Sequence, residues 1–316
     1  MPVSRPVIRI GSRKSKLALA QAAIVRAALA QAWPELAAPG RLEIVEITTS
    51  GDRITDRPLA DIGGKGLFVK ELEEHLLANT IDIAVHSMKD TETTLADSLI
   101  IDCILPREDC REVWISAAGH SMDSFPQDGV IGTSSVRRAA QMLRLHPTCR
   151  IIPFRGNVTT RLGKLHAGQV DATLLALAGL KRLGLEAQAT EILGIDTLLP
   201  AAGQGAIGIE RRQADEDIAA MLAPLNHPPS LLRLTAERAM LATLDGSCRT
   251  PIAGYAAISG NTLDFHGMIL SPDGRQWHEC RESAGAGDAA ALGQDCGGRL
   301  RAEAGEAFFA DWGGNA

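Results

Sequence analysis

The sequence predicts an α/β protein with a smaller α+β module at its C-terminal end. Three observations lead there. From the N-terminus to about residue 210, short apolar runs alternate with helical periodicities, the pattern of βα units on largely parallel sheets. After Ala206-Ile207-Gly208-Ile209-Glu210 the texture changes to two helical segments and then three strand-like runs. The 316 residues, 45% of them hydrophobic, suffice for two domains or three with substantial cores.

Val7-Ile8-Arg9-Ile10 reads as a strand that feeds Gly11-Ser12-Arg13-Lys14-Ser15. A helix follows from about Lys16 to Trp33, with Leu17, Ile24, Ala28 and Leu29 on overlapping apolar faces. Leu42 to Thr48 alternates as a strand. Gly63-Gly64-Lys65-Gly66 is a flexible loop ahead of a helix from about Leu67 to Asn79. Ile81-Asp82-Ile83-Ala84-Val85 is a buried strand that delivers His86-Ser87-Met88-Lys89-Asp90 at its end. A second set of units begins with a strand from Glu112 to Ser116. Val130-Ile131 leads to a helix ending near Leu145. Arg150 to Phe154 ends at Arg155-Gly156-Asn157, before a helix to about Ala167. Asp171 to Ala176 precedes a helix around Gly179 to Leu183. His227-Pro228-Pro229 reads as a linker. Strands over Ile252 to Ile258, Thr262 to Leu270 and Arg275 to Arg281 precede a final helix from about Asp288 to Phe309. No short-period repeat stands out.

The net charge of -6 gives no general attraction to nucleic acid or an anionic membrane. No apolar run reaches membrane-spanning length, and Met1 to Gly11 lacks a signal-peptide core, so a cytoplasmic location is expected. The six cysteines, Cys103, Cys110, Cys149, Cys248, Cys280 and Cys296, form no CxxC pair, which leaves zinc and thioredoxin-like chemistry without support.

Only seven of the 32 basic residues are lysines, and the placement of the arginines is informative. Gly132-Thr133-Ser134-Ser135-Val136-Arg137-Arg138 joins a strand end to a helix start, where free N–H groups and the helix dipole favour an anion. Two arginines at a helix start oppose that dipole. They are therefore expected to be held by ligand carboxylates more than by the fold. Arg13, Asp90, Arg137, Arg138, Arg155 and Arg182 all fall at or soon after predicted strand ends, where α/β folds bind ligands. Asp90 reads equally as a helix cap or surface ion pair, or as a carboxylate that stabilises a developing cation or shuttles a proton. His86 reads first as a hydrogen-bonded packing residue. The Lys65 loop lacks the GxxxxGK[ST] spacing and reads as a lid, with Phe68 just behind it. Gly203-Gln204-Gly205 reads as a hinge. Cys248 lies in Leu244-Asp245-Gly246-Ser247-Cys248-Arg249, a Gly/Ser turn whose arginine favours thiolate; the plain alternative is an inert thiol.

The runs IRIGSRKSKLALAQA, GDRI, GGKGLFVKELE, IDIAVHSMKD, GTSSVRRAAQ, RGNVTTRLGKL, LALAGLKRLG, LPAAGQGAIGIE, TAERAM and LDGSCRTPI together resemble the porphobilinogen deaminase (hydroxymethylbilane synthase) family. The resemblance implies two periplasmic-binding-protein-like α/β domains plus a small C-terminal α+β domain. It places the first at 1–105 and 206–223, the second at 111–199 and the third at 228–316. It implies a transferase of tetrapyrrole (haem) biosynthesis that condenses four porphobilinogen molecules head to tail, with loss of ammonia, and releases hydroxymethylbilane by hydrolysis. It implies a dipyrromethane cofactor joined by a thioether to Cys248 and a catalytic Asp90. Lys89, Thr133, Ser134, Ser135, Arg137, Arg138 and Arg155 correspond to cofactor-binding positions. Arg13, Ser15, Gln21, Lys65, Arg161 and Arg182 correspond to positions that bind substrate. The partners implied are porphobilinogen and the growing oligopyrrole, on a monomer without metal, nucleic acid or membrane. Thr91-Glu92 and Asp61 depart from the family pattern. A two-lobed anion sensor without a covalent cofactor is the rival reading, and a Cys-dependent hydrolase, which lacks a local Cys/His pattern, is a second.

Overall fold

The computed structural model describes residues 5–53, 69–246, 250–310 and 312. β1 (Ile8–Arg13) leads into α1 (Lys16–Ala32). Ser15 caps this helix, its hydroxyl accepting from the Ala18 N–H. Ala18, Ala22, Val25 and Leu29 form its buried stripe at helical spacing. β2 (Leu42–Ile47), α2 (Ser50–Arg53), α3 (Lys70–Leu77) and β3 (Ile83–Ser87) follow. A 3-10 turn over Met88–Asp90 then leads towards β4 (Leu99–Ile104). The next segment runs β5 (Glu112–Ser116), β6 (Val130–Gly132), α4 (Val136–Leu145), β7 (Arg150–Ile152), α5 (Val158–His166), β8 (Ala172–Ala176), α6 (Leu177–Arg182) and β9 (Glu191–Ile192). After it come β10 (Ile207–Arg212), α7 (Glu216–Leu222) and α8 (Pro228–Thr243). β11 (Ile252–Ser259), β12 (Thr262–Leu270), β13 (Trp277–Gly285), α9 (Ala289–Ala304) and α10 (Glu306–Ala310) complete the chain.

These strands form three sheets, in the orders β2-β1-β3-β10-β4, β7-β6-β8-β5-β9 and β11-β12-β13. In the first, β1 runs parallel to β2 and β3, while β10 is antiparallel to both β3 and β4. In the second, β6 runs parallel to β7 and β8, while β5 is antiparallel to both β8 and β9. Each large sheet is thus mostly parallel with one reversed strand at the same place in its order. The described residues divide into two compact units. One comprises 5–53, 69–108 and 206–231, and the other 109–205, 232–246, 250–310 and 312.

The first unit buries Ile8, Ile10, Val25, Leu29, Ile83, Val85 and Ile209 on one side of its sheet, and Leu72, Leu76, Ile81 and Ala84 on the other. In the second unit β5 is apolar throughout its middle because both faces are covered. Trp114 packs with Ile131, Met142 and Leu174, and Val113 and Ile115 pack with Leu162 and Leu175. The three-stranded sheet shares a core with α8 and α9 through Ala236, Met240, Ala256, Phe265 and Cys296. Gly293 is required there, because a Cβ would strike the Ala236 carbonyl oxygen.

Several expectations shift. His227-Pro228-Pro229 lies close to the boundary between the two units, at residues 231 and 232, but its prolines are helical: they open α8, where their missing N–H groups cost nothing. The His227 ring lies 2.8 Å from the Ser230 hydroxyl at that start. The final helix breaks at Gly305, which takes φ +71°. β13 starts two residues later than expected, because Ser271 and Asp273 organise a turn that takes in Arg275 and Gln276. β4 and the two-residue β9 were not anticipated.

Candidate active site

In the first unit, parallel pairing aligns Gly11 with Ala84, so the carboxyl ends of β1 and β3 open on the same edge. Arg13 ends β1, and Ser87-Met88-Lys89-Asp90 leaves β3. Gln21 reaches from α1 to this edge. It is buried, and its amide nitrogen donates to the Ser87 hydroxyl at 2.7 Å. The Ser15 hydroxyl serves as a cap first and retains its own proton for a ligand. Asp90 is partly buried and ends its 3-10 turn. It is neither a helix cap nor, among the described residues, a member of any hydrogen bond or ion pair. Of the two readings open from sequence, the geometry leaves the carboxylate uncommitted to the fold. His86, just upstream, is buried, with Nε2 2.8 Å from Glu210 Oε2. It packs as a hydrogen-bonded residue.

In the second unit the edge of β6, β7 and β8 carries the Thr133–Arg138 loop. Gly132 is dictated by close approach, because a Cβ would lie 2.6 Å from the Phe154 ring. The loop hydroxyls organise it. Thr133 Oγ1 accepts from Ser135 N–H at 3.1 Å, Ser134 Oγ from Phe154 N–H at 2.9 Å, and Ser135 Oγ caps α4 through Arg138 N–H. A hydroxyl that accepts from the backbone still has a proton to donate, so Ser134 and Ser135 suit a carboxylate.

Arg137 and Arg138 correct one expectation. They are held by the fold. Both are buried, and each reaches the buried Glu112 that opens β5. Arg137 Nη2 lies 2.5 Å from Oε1, and Arg138 Nη2 and Nε lie 2.7 and 3.1 Å from Oε2. Arg137 Nη1 also donates to the Leu199 carbonyl at 2.7 Å. Glu112 therefore supplies the anion that the helix dipole demands. Burial pushes the Arg137 guanidinium below its ordinary pKa, Glu112 pulls it back and Arg138 pushes it down further. Two cations facing one carboxylate leave one positive charge in the group, the state that invites a further anion.

Arg182, at the end of α6, donates to the Gly205 carbonyl at 2.6 Å, and Arg161 Nε to the Gly156 carbonyl at 2.9 Å. Arg155 follows β7, and its carbonyl accepts from Lys164 Nζ at 3.0 Å. Lys65, Phe68, Asp61 and Cys248 lie outside the described residues. The cysteines that are described, Cys103, Cys110, Cys149, Cys280 and Cys296, are all buried. Burial pushes the Cys103 thiol up to about 12 and raises Cys149, Cys280 and Cys296 as well. Glu112 and Glu210 escaped the sequence reading. Each stands at the polar end of a short apolar run, Glu112 before Val113-Trp114-Ile115 and Glu210 before Arg211-Arg212, where an acid reads as exposed.

Two family models match the chain. "Porphobilinogen deaminase, dipyromethane cofactor binding domain" covers residues 8–220, and "Porphobilinogen deaminase, C-terminal domain" covers 231–302. The chain belongs to the porphobilinogen deaminase family. Relatives named porphobilinogen deaminase from Nitrobacter winogradskyi and Nitrobacter hamburgensis are each 53% identical to it over 300 residues, 95% of this chain and 94% of theirs. Among solved structures, the VFT2 domain of Bordetella pertussis BvgS is similar with a TM-score of 0.42 at 14% identity, covering 69% of this chain and 86% of that one. An ancestral arginine-binding protein reaches 0.41 at 13% identity, covering 71% and 92%. The chain is thus an enzyme of the porphobilinogen deaminase family, and no helix among its described residues is long and apolar enough to cross a membrane.

Proposed function

We propose that this enzyme condenses four porphobilinogen molecules head to tail, releasing ammonia at each addition, on a dipyrromethane primer anchored to Cys248. The product is linear hydroxymethylbilane, freed by hydrolysis. One observation carries the reading. The matched cofactor-binding region contains both Asp90, whose carboxylate has no hydrogen bond or ion pair among the described residues, and the Thr133–Arg138 loop with its surplus positive charge. The family assignment disfavours a sensor without a covalent cofactor.

The residues present fit the group. A dipyrrole with acetate and propionate arms needs fixed cations and hydroxyl donors, and the loop offers both. When bound, dipyrromethane supplies the pyrrole carbon to which the first new unit is joined. Asp90 stabilises the cation left when the carbon–nitrogen bond of porphobilinogen breaks and ammonia departs. The charge spreads onto the pyrrole nitrogen, whose N–H hydrogen-bonds a carboxylate. The Asp90 carboxylate would also be the group to accept the proton released when the new carbon–carbon bond is made. Arg13, Arg138, Arg155, Arg161 and Arg182, with Lys89, Ser134 and Ser135, hold the carboxylate arms. Arg137, paired with Arg138 on Glu112, serves the same arms, Gln21 braces Ser87, and Lys65 binds substrate.

Support for Cys248 as the anchor comes from the other thiols. Those described are buried, and four of them are pushed towards the unreactive neutral form. The test is denatured intact mass. The protein should exceed its sequence mass by one dipyrromethane, and Cys248→Ser should match its sequence mass. An adduct that persists in Cys248→Ser would move the anchor elsewhere.

A further inference from the structure

We infer that Glu112 is the positioning residue of the anion loop, aiming Arg137 and Arg138 at ligand carboxylates while itself remaining out of contact with the ligand. The inference rests on the reading that this loop holds the carboxylate arms of the oligopyrrole. Glu112 is fully buried and fixed by its strand, paired with Ala176 in β8 and accepting from Leu193 N–H at 2.9 Å. Its two oxygens are divided between the two guanidiniums, Oε1 to Arg137 and Oε2 to Arg138.

The division orients both planes. Arg138 is gripped along one edge, through Nε and Nη2. Arg137 is gripped at Nη2 by Glu112 and at Nη1 by the Leu199 carbonyl. Leu199 is itself pinned by Gln141, which donates to its carbonyl at 3.0 Å and accepts from its N–H at 2.8 Å. What remains without a hydrogen bond among the described residues is Arg137 Nε and Arg138 Nη1. A guanidinium binds a carboxylate through a planar fork, so the residue that sets the plane sets the binding geometry. Without Glu112 the two like charges repel and lose their common anchor.

A double-mutant cycle on KM for porphobilinogen tests this, with adduct occupancy read by intact mass on every variant and kinetics referred to the loaded fraction. Glu112→Gln should raise KM on the order of tenfold or more while kcat changes far less, as expected for lost charge-assisted hydrogen bonding that acts through binding. Arg138→Lys should also raise KM. The double variant should be no worse than the poorer single one, because Glu112 acts through the arginine. Fully additive effects would overturn the inference. So would a Glu112→Gln protein that melts earlier but keeps the wild-type KM, which is the signature of a merely structural carboxylate. Glu112→Asp keeps the charge and withdraws it by one methylene. It should fold and raise KM by about threefold through the weakened fork, and an unchanged KM would also overturn the inference. Failure of the underlying reading is separately visible. It would leave the wild-type protein without an adduct and without porphobilinogen consumption, whatever Glu112 does.

Discussion

Asp90 closes a 3-10 turn with its carboxylate unshared among the described residues, whereas Glu112 is buried between two guanidiniums. A charge that the fold does not neutralise is available to a transition state, and one that the fold has consumed can only organise its neighbours. Asp90→Asn keeps the size and removes the charge. Turnover of the loaded variant should fall at least about a hundredfold, comparable to losing one preorganised electrostatic stabiliser. Steady-state product formation at saturating porphobilinogen measures it, and near-normal turnover of a folded, loaded variant would contradict the role. At this scale the cations and hydroxyls of the candidate site were legible as a group, because small residues followed by arginines at a strand end suggest a place for an anion. Glu112 was not. Its pairing spans 25 and 26 residues to Arg137 and Arg138, and no local pattern links a strand's first residue to a helix that follows another strand.

The ends of elements also hold the first sheet together. Asp82, just before β3, accepts from the Arg9 backbone N–H at 2.8 Å, from Arg9 Nε at 3.0 Å and from Arg5 Nη1 at 2.6 Å. Asp215, which caps α7, accepts from Arg5 Nη2 and Arg212 Nη2 at 2.6 and 3.0 Å. Burial raises both acids, but the arginines outweigh it and hold both below the usual carboxylate range. A depressed folded-state pKa contributes stability that is complete above the unfolded value, about 4, and is lost as pH falls through the lower folded value. Asp82→Asn should therefore lower the melting temperature at pH 7 and flatten its decline below about pH 4. Melting curves of both proteins from neutral to acid pH check this, and parallel curves would exclude the network from acid stability. Most elements were readable in the sequence where apolar periodicity was strong. β5 was expected over its observed span, Glu112–Ser116. β9 has two residues and no periodicity to read, and the start of β13 depends on hydrogen bonds within a turn.

Across the whole molecule the two large sheets share one strand order, yet they differ in how far the chain must travel to close it. In the second sheet, the reversed strand β5 meets β8 at Ile115 and Thr173, about 58 residues apart. In the first, His86 meets Glu210 across 124. Loop-closure entropy makes the longer connection costlier by about 0.7 kcal/mol, and such non-local pairing is also slower to form. Pulse-labelled hydrogen exchange during refolding should find β5 and β8 amides protected before those of β10. Simultaneous protection would mean that the sheets fold as one unit. The shared order was hidden from sequence reading, because the reversed strand of each sheet comes from a different part of the chain cycle: β5 precedes its sheet's parallel strands and β10 follows them.

The placement of β10 matters before the enzyme is finished. It lies between β3 and β4, but both of those strands leave the ribosome first. About a hundred residues separate the end of β4 from the start of β10, so at roughly 5–20 residues per second translation takes about 5 to 20 s to deliver the missing strand. Throughout that interval β3 and β4 each lack the neighbour they will later share. Unpaired strand edges recruit other strands. A nascent chain that stalls there is primed for edge-to-edge association with another nascent chain, and a chaperone that shields those edges would act before residue 207 is made.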